Sequence, residues 1–350
     1  MKHGGDLLSY QGLFEGKIID FSSNINPLGY PVALKSVIIN SFDEIAIYPD
    51  IYYRNLKMEI SNYIGCEENQ VIVGNGAVEI INNFSMMFKR VVVVTPCFLE
   101  YIERPKIHGK EVICLPMKKD FIIDVDLIRE TLLAGDLLLL GNPNNPTGKR
   151  IQWSLLFEIH KLVSEKDGFL LLDEAFFEFC KWDYDSIENF RDSKNICVLR
   201  AATKFFSVPG MRLGYGFTSR SMVEKYSTIS LPWSVNAFAD MASRVIFKDK
   251  DFIKQSKEYI LVQRELLMEA LKKIDGIMPY DTDCNFLLIK MLKGNEDEIF
   301  EFLLEKGILI RKASNFEGLD KSFIRIAIKS FEENTYIINC LREYQKRRFI

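Results

Sequence analysis

A lysine beside two phenylalanines is the side chain with the clearest chemical potential in this sequence. Lys204 follows an apolar segment at residues 196–200 and precedes Phe205 and Phe206. Apolar neighbours desolvate an ammonium group and lower its pKa, and a neutral lysine can attack a carbonyl carbon. A loop lysine is more often simply solvated, so Lys204 alone does not decide a reaction. Arg212, which follows a Pro-Gly turn, could bring a guanidinium group to a phosphate.

Polar residues follow two further apolar segments. Asp173 comes directly after the apolar residues 169–172. Burying a carboxylate there costs free energy unless a positive group lies beside it. A helix N-cap is the ordinary explanation for such an aspartate, and a protonated ring nitrogen as partner is the functional one. Residues 142–148 read NPNNPTG and follow apolar residues 137–141, with more asparagines than a rigid turn requires. Both polar segments are predicted at carboxyl ends of strands, where open α/β sheets bind ligands.

A short glycine motif lies between a predicted strand and a predicted helix. Residues 74–79 read GNGAVE, and the backbone N–H groups at the start of the helix, at Gly76, Ala77 and Val78, could bind a phosphate. Glu79 replaces the third glycine of a dinucleotide-binding G-x-G-x-x-G motif, and the chain has no P-loop G-K-[ST] sequence. We therefore discount a dinucleotide-binding fold.

These residues need a scaffold, and the apolar pattern indicates an α/β protein with a mostly parallel sheet. Short apolar runs alternate with amphipathic stretches up to about residue 230, and longer helices dominate afterwards. Strands are predicted at residues 71–73, 91–95, 111–115, 137–141, 169–172 and 196–200, and later at 285–290, 309–311 and 323–329. Helices are predicted at residues 78–88, 153–165, 236–247, 253–274, 296–306 and 332–348. We expect a large domain over residues 31–240, a smaller α+β domain over 241–350 and an N-terminal arm, 1–30, that packs on the small domain.

Composition excludes several classes of protein. Hydrophobic residues make up 48% and charged residues 27% of the chain, as in an ordinary globular protein. The 45 Lys and Arg residues against 48 Asp and Glu leave no field for nucleic acid or an anionic membrane. Neither a spanning helix nor a secretory signal is indicated. Seven scattered cysteines predict reduced thiols in the cytoplasm, and three distant histidines predict no metal site.

The order of these landmarks resembles that of fold-type I pyridoxal phosphate (PLP) enzymes, the class I and II aminotransferase superfamily. The resemblance covers nearly the whole chain and implies an aspartate aminotransferase-like fold with a mostly parallel seven-stranded sheet. It implies that Lys204 binds the cofactor covalently. It also implies that Asp173 keeps the pyridine nitrogen protonated, which makes the ring an electron sink. The cofactor-binding residues that it implies are Gly76, Ala77, Val78, Phe98, Asn145, Asp173, Lys204, Arg212 and Tyr48.

Several of these positions have specific implied roles. Phe98 matches the aromatic residue that stacks on the cofactor ring, and Asn145 matches the asparagine bonded to its 3′-oxygen. Arg325 matches an arginine that clamps the α-carboxylate of the substrate. Tyr48 matches a tyrosine that reaches the phosphate from the partner subunit, so the resemblance implies a homodimer with shared active sites.

Two positions depart from the family pattern. The family usually has a tyrosine three residues after the aspartate, where this chain has Phe176, and Ser or Thr three residues before the lysine, where it has Ala201. Each loses a neutral hydrogen bond, worth about 1 kcal/mol. These departures bear on cofactor affinity, whereas the implied electron sink is intact.

Residues 24–29, which read NINPLG, and the Tyr48-Pro49 turn resemble the histidinol-phosphate aminotransferase branch. Within that branch the opening HGG at residues 3–5, the segment DFSS at 20–23 and TKFF at 203–206 resemble threonine-phosphate decarboxylases, which serve cobalamin side-arm synthesis. The resemblance therefore implies L-threonine-O-3-phosphate decarboxylase activity, with histidinol-phosphate aminotransferase as the alternative. The implied substrate-binding residues are Asn26, Asn145, Arg311, Arg325 and His3.

The two reactions differ in which bond at the substrate Cα lies perpendicular to the cofactor ring, because that bond breaks. We expect Arg325, Arg311 and the N-terminal arm to set this orientation. Two further hypotheses are a non-catalytic regulator that binds PLP or a phosphorylated ligand, and a doubly wound enzyme that does not use PLP. The latter would show no cofactor absorbance.

Overall fold

A computed structural model describes residues 3–181 and 183–347. Its strands are short and rich in β-branched and aliphatic residues, as strands of an α/β core are. In chain order they are β1 (Ile19–Asp20), β2 (Val71–Asn75), β3 (Arg90–Thr95), β4 (Glu111–Pro116), β5 (Leu137–Gly141), β6 (Phe169–Asp173), β7 (Ile196–Ala201), β8 (Leu213–Thr218), β9 (Ile277–Pro279), β10 (Phe286–Met291), β11 (Ile308–Leu309), β12 (Arg311–Lys312) and β13 (Phe323–Ala327).

Several helices begin at a side-chain cap. Asn236, Asp249 and Asn295 accept hydrogen bonds from the first turns of the helices that follow them. The helices are α1 (Ala33–Asn40), α2 (Arg54–Ile64), α3 (Ala77–Met87), α4 (Glu100–Ile107), α5 (Val125–Thr131), α6 (Trp153–Glu165), α7 (Ser186–Asn189), α8 (Ala202–Phe205), α9 (Arg220–Ser227), α10 (Ala237–Ile246), α11 (Lys250–Lys272), α12 (Glu296–Glu305) and α13 (Phe331–Arg347).

A seven-stranded sheet forms the centre of the fold, in the order β2-β8-β7-β6-β5-β3-β4. The pairs β4–β3, β3–β5, β5–β6 and β6–β7 are parallel, and β8 runs antiparallel to both β7 and β2. Strands β5, β6, β7 and β8 are buried along their whole length, as expected for a sheet covered by helices on both faces. The predicted α/β fold with a mostly parallel seven-stranded sheet is confirmed.

Several details differ from the sequence prediction. Strands β1, β8 and β9 were not predicted, and neither were helices α1, α2, α4, α5, α7, α8 and α9. The single strand predicted at residues 309–311 is two strands, because Ile310 separates β11, which pairs with β1, from β12, which pairs with β13. Residue 348, the predicted end of the last helix, lies outside the described residues.

The C-terminal part of the chain forms a second, four-stranded antiparallel sheet in the order β12-β13-β10-β9. The N-terminal segment joins this part through the parallel pair β1–β11. The backbone N–H of Phe21 donates to the carbonyl oxygen of Leu309 at 2.8 Å, and that of Ala327 donates to the carbonyl oxygen of Phe21 at 2.9 Å. The predicted boundary at residue 240 falls inside α10, which packs on α1 and α2; the division into domains stays a prediction.

Within residues 3–181 and 183–347, no helix is both long and apolar enough to cross a membrane, and no group of three His, Cys, Asp or Glu side chains could hold a metal ion. All seven cysteines lie in these ranges as free thiols.

Candidate active site

The carboxyl ends of the central parallel strands open into a cavity of about 460 Å³. Strands β5, β6 and β7 end at this edge of the sheet, which is the usual ligand position in open α/β sheets. Most of the residues selected from the sequence line the cavity. The structure brings together His3, Ala77, Val78, Phe98, Asn145, Asp173, Lys204, Arg212, Arg311 and Arg325.

The turn between β2 and α3 packs against Arg212. Gly76 has a left-handed φ of +78°, and a Cβ added to it would lie 2.4 Å from Nη2 of Arg212. Gly214 is constrained in turn, because a Cβ there would lie 2.4 Å from the backbone carbonyl carbon of Gly76. Gly76 lies behind the cavity wall, whereas Ala77 and Val78 line it at the N-terminus of α3. A helix N-terminus beside a guanidinium group is suited to binding a phosphate.

Glu79, which interrupts the dinucleotide-binding motif, caps this turn. Its carboxylate accepts a hydrogen bond from the backbone N–H of Asn75, at the end of β2. The side chain therefore links the first turn of α3 to the end of β2.

Lys204 lies in the short helix α8, directly after β7. The side chains of Phe205 and Phe206 are fully buried beside it. Burial, followed by the positive charges of Arg325 and Arg212, lowers the pKa of Lys204 to about 8. This is the direction that the sequence predicted, and about one tenth of the amine is neutral at pH 7.

Asp173 and Glu174 are adjacent buried carboxylates with different surroundings. Glu174 is paired with Arg200, whose Nη2 lies 2.9 Å from it. Asp173 ends β6, and the N-cap of the helical turn that follows is Phe176, so Asp173 is not a helix N-cap. None of the described cations pairs with it. Its Oδ2 accepts from the Tyr101 hydroxyl at 2.7 Å and its Oδ1 from the backbone N–H of Ala175 at 2.9 Å. Burial raises the pKa of Asp173 to about 6, and a ligand cation would relieve that cost.

Arg325, on β13, is a buried cation held by neutral groups. Its Nη1 donates to Oδ1 of Asn145 at 2.5 Å and its Nη2 to the carbonyl oxygen of Ser22 at 2.7 Å. Its Nε has no hydrogen-bond partner, and no carboxylate within residues 3–181 and 183–347 pairs with it. Burial, followed by the charge of Arg311, lowers the pKa of Arg325 to about 9. This wall of the cavity is therefore suited to an anion.

Arg311 and His3 complete the same side of the cavity. Nη2 of Arg311 donates to Oδ1 of Asn315 at 2.7 Å, and burial lowers the pKa of Arg311 to about 10. Nε2 of His3 lies 3.0 Å from Oε1 of Glu100. The ring centroids of His3 and Phe98 are 6.1 Å apart, so the N-terminal segment reaches the aromatic wall.

Asn26 was predicted to bind substrate, but the structure places it outside the cavity lining. Its Nδ2 donates to the carbonyl oxygen of Phe205 and to the hydroxyl of Ser256, both at 2.8 Å. Its backbone N–H donates to the carbonyl oxygen of Lys204 at 3.1 Å. The hydrogen-bonding capacity of Asn26 is thus used within the protein, and the residue ties the N-terminal segment to the loop that carries Lys204.

Tyr48 also lies away from the cavity of its own chain. It is 80% exposed, and its ring packs on Trp233 with the centroids 5.0 Å apart. Its role toward the cofactor of a partner subunit stays a prediction.

Helix α4 contributes three cavity residues that sequence reasoning missed, Glu100, Tyr101 and Arg104. Nε of Arg104 lies 2.6 Å from Oε2 of Glu100, one helical turn away. The E-x-x-x-R spacing and an aromatic residue three positions after Phe98 were the available signals. They were overlooked because Pro105 and the high polarity of this segment hide the helix.

A family model described as aminotransferase class I and II matches residues 16–341. The chain belongs to this family. A relative from Caldanaerobacter subterraneus subsp. tengcongensis, named "Putative threonine-phosphate decarboxylase", is 41% identical over 97% of this chain and 93% of its own length. The histidinol-phosphate aminotransferase of Clostridium novyi is 33% identical over 96% of this chain and 94% of its own. The crystal structure of the histidinol-phosphate aminotransferase from Clostridium acetobutylicum is 33% identical and covers 93% of this chain and 99% of that one, with a TM-score of 0.90.

This class I and II aminotransferase family member is a PLP-dependent enzyme, and the cavity fits the cofactor. The N-terminus of α3 with Arg212 would hold the phosphate, in a cradle that a Cβ at Gly76 would fill. Asp173, a buried carboxylate with no described cation partner, would meet the pyridine nitrogen. Lys204, with its lowered pKa, would hold the aldehyde carbon.

The two departures from the family pattern lie on the cavity wall. Phe176 and Ala201 both line the cavity, and the ring of Phe176 packs edge-on against Phe286 with centroids 5.0 Å apart. Neither position offers a hydroxyl group to the cofactor. The nearby hydroxyl group of Tyr101 donates to the carboxylate of Asp173.

Proposed function

We propose that this enzyme is an L-threonine-O-3-phosphate decarboxylase. The observation that carries the proposal is the pair of buried guanidinium groups, Arg325 and Arg311, on one side of the cavity. A phosphorylated amino acid has two anionic groups, a carboxylate and a phosphate, whereas histidinol phosphate has the phosphate alone. The 41% identity to a relative named as such a decarboxylase supports the same assignment.

Histidinol-phosphate aminotransferase is the second candidate. It is supported by relatives of 33% identity, one of them a solved structure with a TM-score of 0.90. The amino-group acceptor of that reaction, 2-oxoglutarate, also has two carboxylates that Arg325 and Arg311 could bind. Both candidates act on small phosphorylated amines.

Each proposed catalytic residue has a task that its surroundings support. When bound, PLP supplies an electron sink for the bond that breaks at the substrate Cα. Asp173 keeps a negative charge at the floor of the cavity, and Lys204 provides an amine that is partly neutral at pH 7. Arg325, held by Asn145 and Ser22, would fix the carboxylate and so decide which bond is aligned for cleavage.

Product analysis tests the proposal. The purified enzyme with PLP is given O-phospho-L-threonine, and separately histidinol phosphate with 2-oxoglutarate, while CO₂ and glutamate are measured. We expect CO₂ from the first mixture and no glutamate from the second, with Lys204→Ala as the inactive control. Glutamate formation without CO₂ would establish the aminotransferase instead. Cofactor binding without turnover of either mixture would support the hypothesis of a non-catalytic regulator.

We also propose that the enzyme is a homodimer with shared active sites. The exposed side chain of Tyr48 lies in a region rich in exposed apolar residues, which a second copy of the chain would cover. These include Ile45, Ile47, Tyr48, Tyr52, Leu231 and Trp233.

Subunit mixing tests the shared site. Tyr48→Phe and Lys204→Ala subunits, each with low activity alone, should regain activity when mixed, because one site of the heterodimer then holds both native residues. Confirmed subunit exchange with no recovery would contradict the shared site.

A further inference from the structure

We propose that Tyr101 is the positioning residue that keeps Asp173 charged and aimed at the cofactor, a role that rests on the proposed PLP function. Its hydroxyl group makes direct contact with the carboxylate that the proposed chemistry needs. Both side chains are buried, Tyr101 on α4 and Asp173 on β6.

The contact is geometrically well defined. The Tyr101 hydroxyl donates to Oδ2 of Asp173 at 2.7 Å, while the backbone N–H of Ala175 donates to Oδ1 at 2.9 Å. Each carboxylate oxygen therefore has its own donor, and the group cannot rotate without losing both. The Tyr101 side chain is 2% exposed, so water does not replace the hydroxyl in the folded protein.

A glycine makes room for this contact. Gly141 is the neighbour of Asp173 across the parallel pair β5–β6. A Cβ at Gly141 would lie 3.3 Å from the Tyr101 hydroxyl oxygen and 3.1 Å from Cα of Asn144. The absence of a side chain lets the phenol pass over the end of β5 and reach β6.

The electrostatic surroundings of Asp173 make its charge depend on this donor. Burial raises its pKa to about 6, and the hydrogen bond from Tyr101 acts against that rise. Glu174, the next residue on the chain, adds to the rise, and the buried thiol of Cys197 on β7 carries no charge because burial raises its pKa well above neutral. Burial, and then the charge of Asp173, raises the pKa of Tyr101, so the phenol stays a donor at working pH.

Tyr101 also supports the aromatic wall. Its ring meets that of Phe98 at an interplanar angle of 89° with centroids 5.7 Å apart, an arrangement that aromatic pairs favour. One side chain thus holds the proposed ring-stacking residue and the proposed ring-nitrogen partner in a fixed relation.

The test compares Tyr101→Phe with Tyr215→Phe. Both changes remove one buried hydroxyl that donates to a buried carboxylate, since Tyr215 donates to Glu178 at 3.2 Å away from the cavity. The measurements are the dissociation constant of PLP at pH 6 and pH 8, and the absorption spectrum of the bound cofactor across this range.

We expect Tyr101→Phe to raise the dissociation constant about fivefold at pH 6 and hardly at all at pH 8. Loss of the donor raises the pKa of Asp173 by about one unit, so the carboxyl is protonated at pH 6 but still ionised at pH 8. The spectral transition should move to higher pH by a similar amount. Tyr215→Phe should change neither quantity.

Two results would overturn the inference: wild-type affinity of Tyr101→Phe at both pH values, or an equal loss at both, which indicates a packing defect. A double-mutant cycle with Asp173→Asn adds a second criterion, because Tyr101→Phe should have little effect once the charge is gone. An additive effect contradicts the proposal. Failure of the wild-type enzyme to form a borohydride-stable PLP adduct on Lys204 would instead reject the proposed function, and this inference with it.

Discussion

Replacing Arg325 by methionine should stabilise the cofactor-free protein while weakening its hold on an acidic substrate. Methionine keeps an unbranched apolar chain near the ring of Phe286, whose centroid lies 5.2 Å from the guanidinium carbon, and it removes a buried charge that has no described carboxylate partner. Arg325 is therefore expected to favour the binding of an acidic substrate while it lowers the free energy of unfolding of the protein.

The magnitude follows from the surroundings of Arg325. Burial and the charge of Arg311 lower its pKa from the usual 12.5 to about 9, which corresponds to about 5 kcal/mol at 1.36 kcal/mol per unit. The penalty is complete below pH 9, where folded and unfolded chains are both protonated, and it fades as the pH rises toward 12.5. The substitution also removes the hydrogen bond that Arg325 donates to the carbonyl oxygen of Ser22, and leaving this oxygen without a donor costs about 1–3 kcal/mol. The side chain of Asn145 lines the cavity, so water can replace the hydrogen bond that it loses. The free energy of unfolding should therefore rise by about 2–4 kcal/mol.

Urea unfolding at pH 7 without PLP, followed by far-UV circular dichroism, measures this change. Arg200→Met is the matched contrast, because Arg200 is paired with Glu174 and breaking a buried pair should cost about 3–5 kcal/mol. The KM for the acidic substrate should rise at least about tenfold in Arg325→Met. If this variant were less stable than the wild type, the hydrogen bonds of Arg325 would outweigh its desolvation, and the reasoning would be refuted.

Three further predictions concern the cofactor site. The Asp173→Asn variant should stay folded and still bind PLP. Its turnover in steady-state assays should fall at least about a hundredfold, which is about 2.7 kcal/mol in the activation barrier. Near-normal turnover would make Asp173 a structural residue. Because burial lowers the pKa of Lys204 to about 8, the rate of PLP loading should rise with pH through that value in stopped-flow absorbance, and a flat profile would contradict it. Gly76→Ala should raise the PLP dissociation constant at least about tenfold by displacing Arg212. Gly109→Ala, with φ +66° and no atom within 4 Å of the new Cβ, is the control and should bind PLP normally.

Most of the central sheet could be predicted because its strands are continuous apolar runs. Strands β3, β5, β6 and β7 are of this kind, and buried parallel strands need no alternation. Strand β8 was missed because Gly214 and Gly216 lower the apparent strand propensity. The first of these glycines is required by the close approach of the turn at Gly76, so a constraint from the binding site conceals the strand.

The site residues were predictable where one residue type serves one chemical purpose, as at Lys204 and Asp173. Asn26 was assigned to substrate because a loop sequence does not show that both 2.8 Å hydrogen bonds from its amide go to distant protein groups. Tyr101, on α4, was overlooked because its partner Asp173 lies 72 positions later on β6, a pairing that only the folded chain reveals. The roles of the site residues, the domain boundaries and the cytoplasmic location stay predictions.

The contacts of the N-terminal segment also set the order in which the enzyme is built during translation. The carbonyl oxygen of Ser22 accepts a hydrogen bond from Arg325, which lies 303 positions later in the chain. The carbonyl oxygen of Asn24 accepts one from Asn285, 261 positions later. Neither bond can form until the later residue has been synthesised. At about 5–20 residues per second, a ribosome needs roughly 15–60 s to make the residues between Ser22 and Arg325. For most of that time β1 has no partner strand, because β11, with which it pairs, lies at Ile308–Leu309. The cavity wall that contains Arg325 therefore closes only after β13 has emerged from the ribosome.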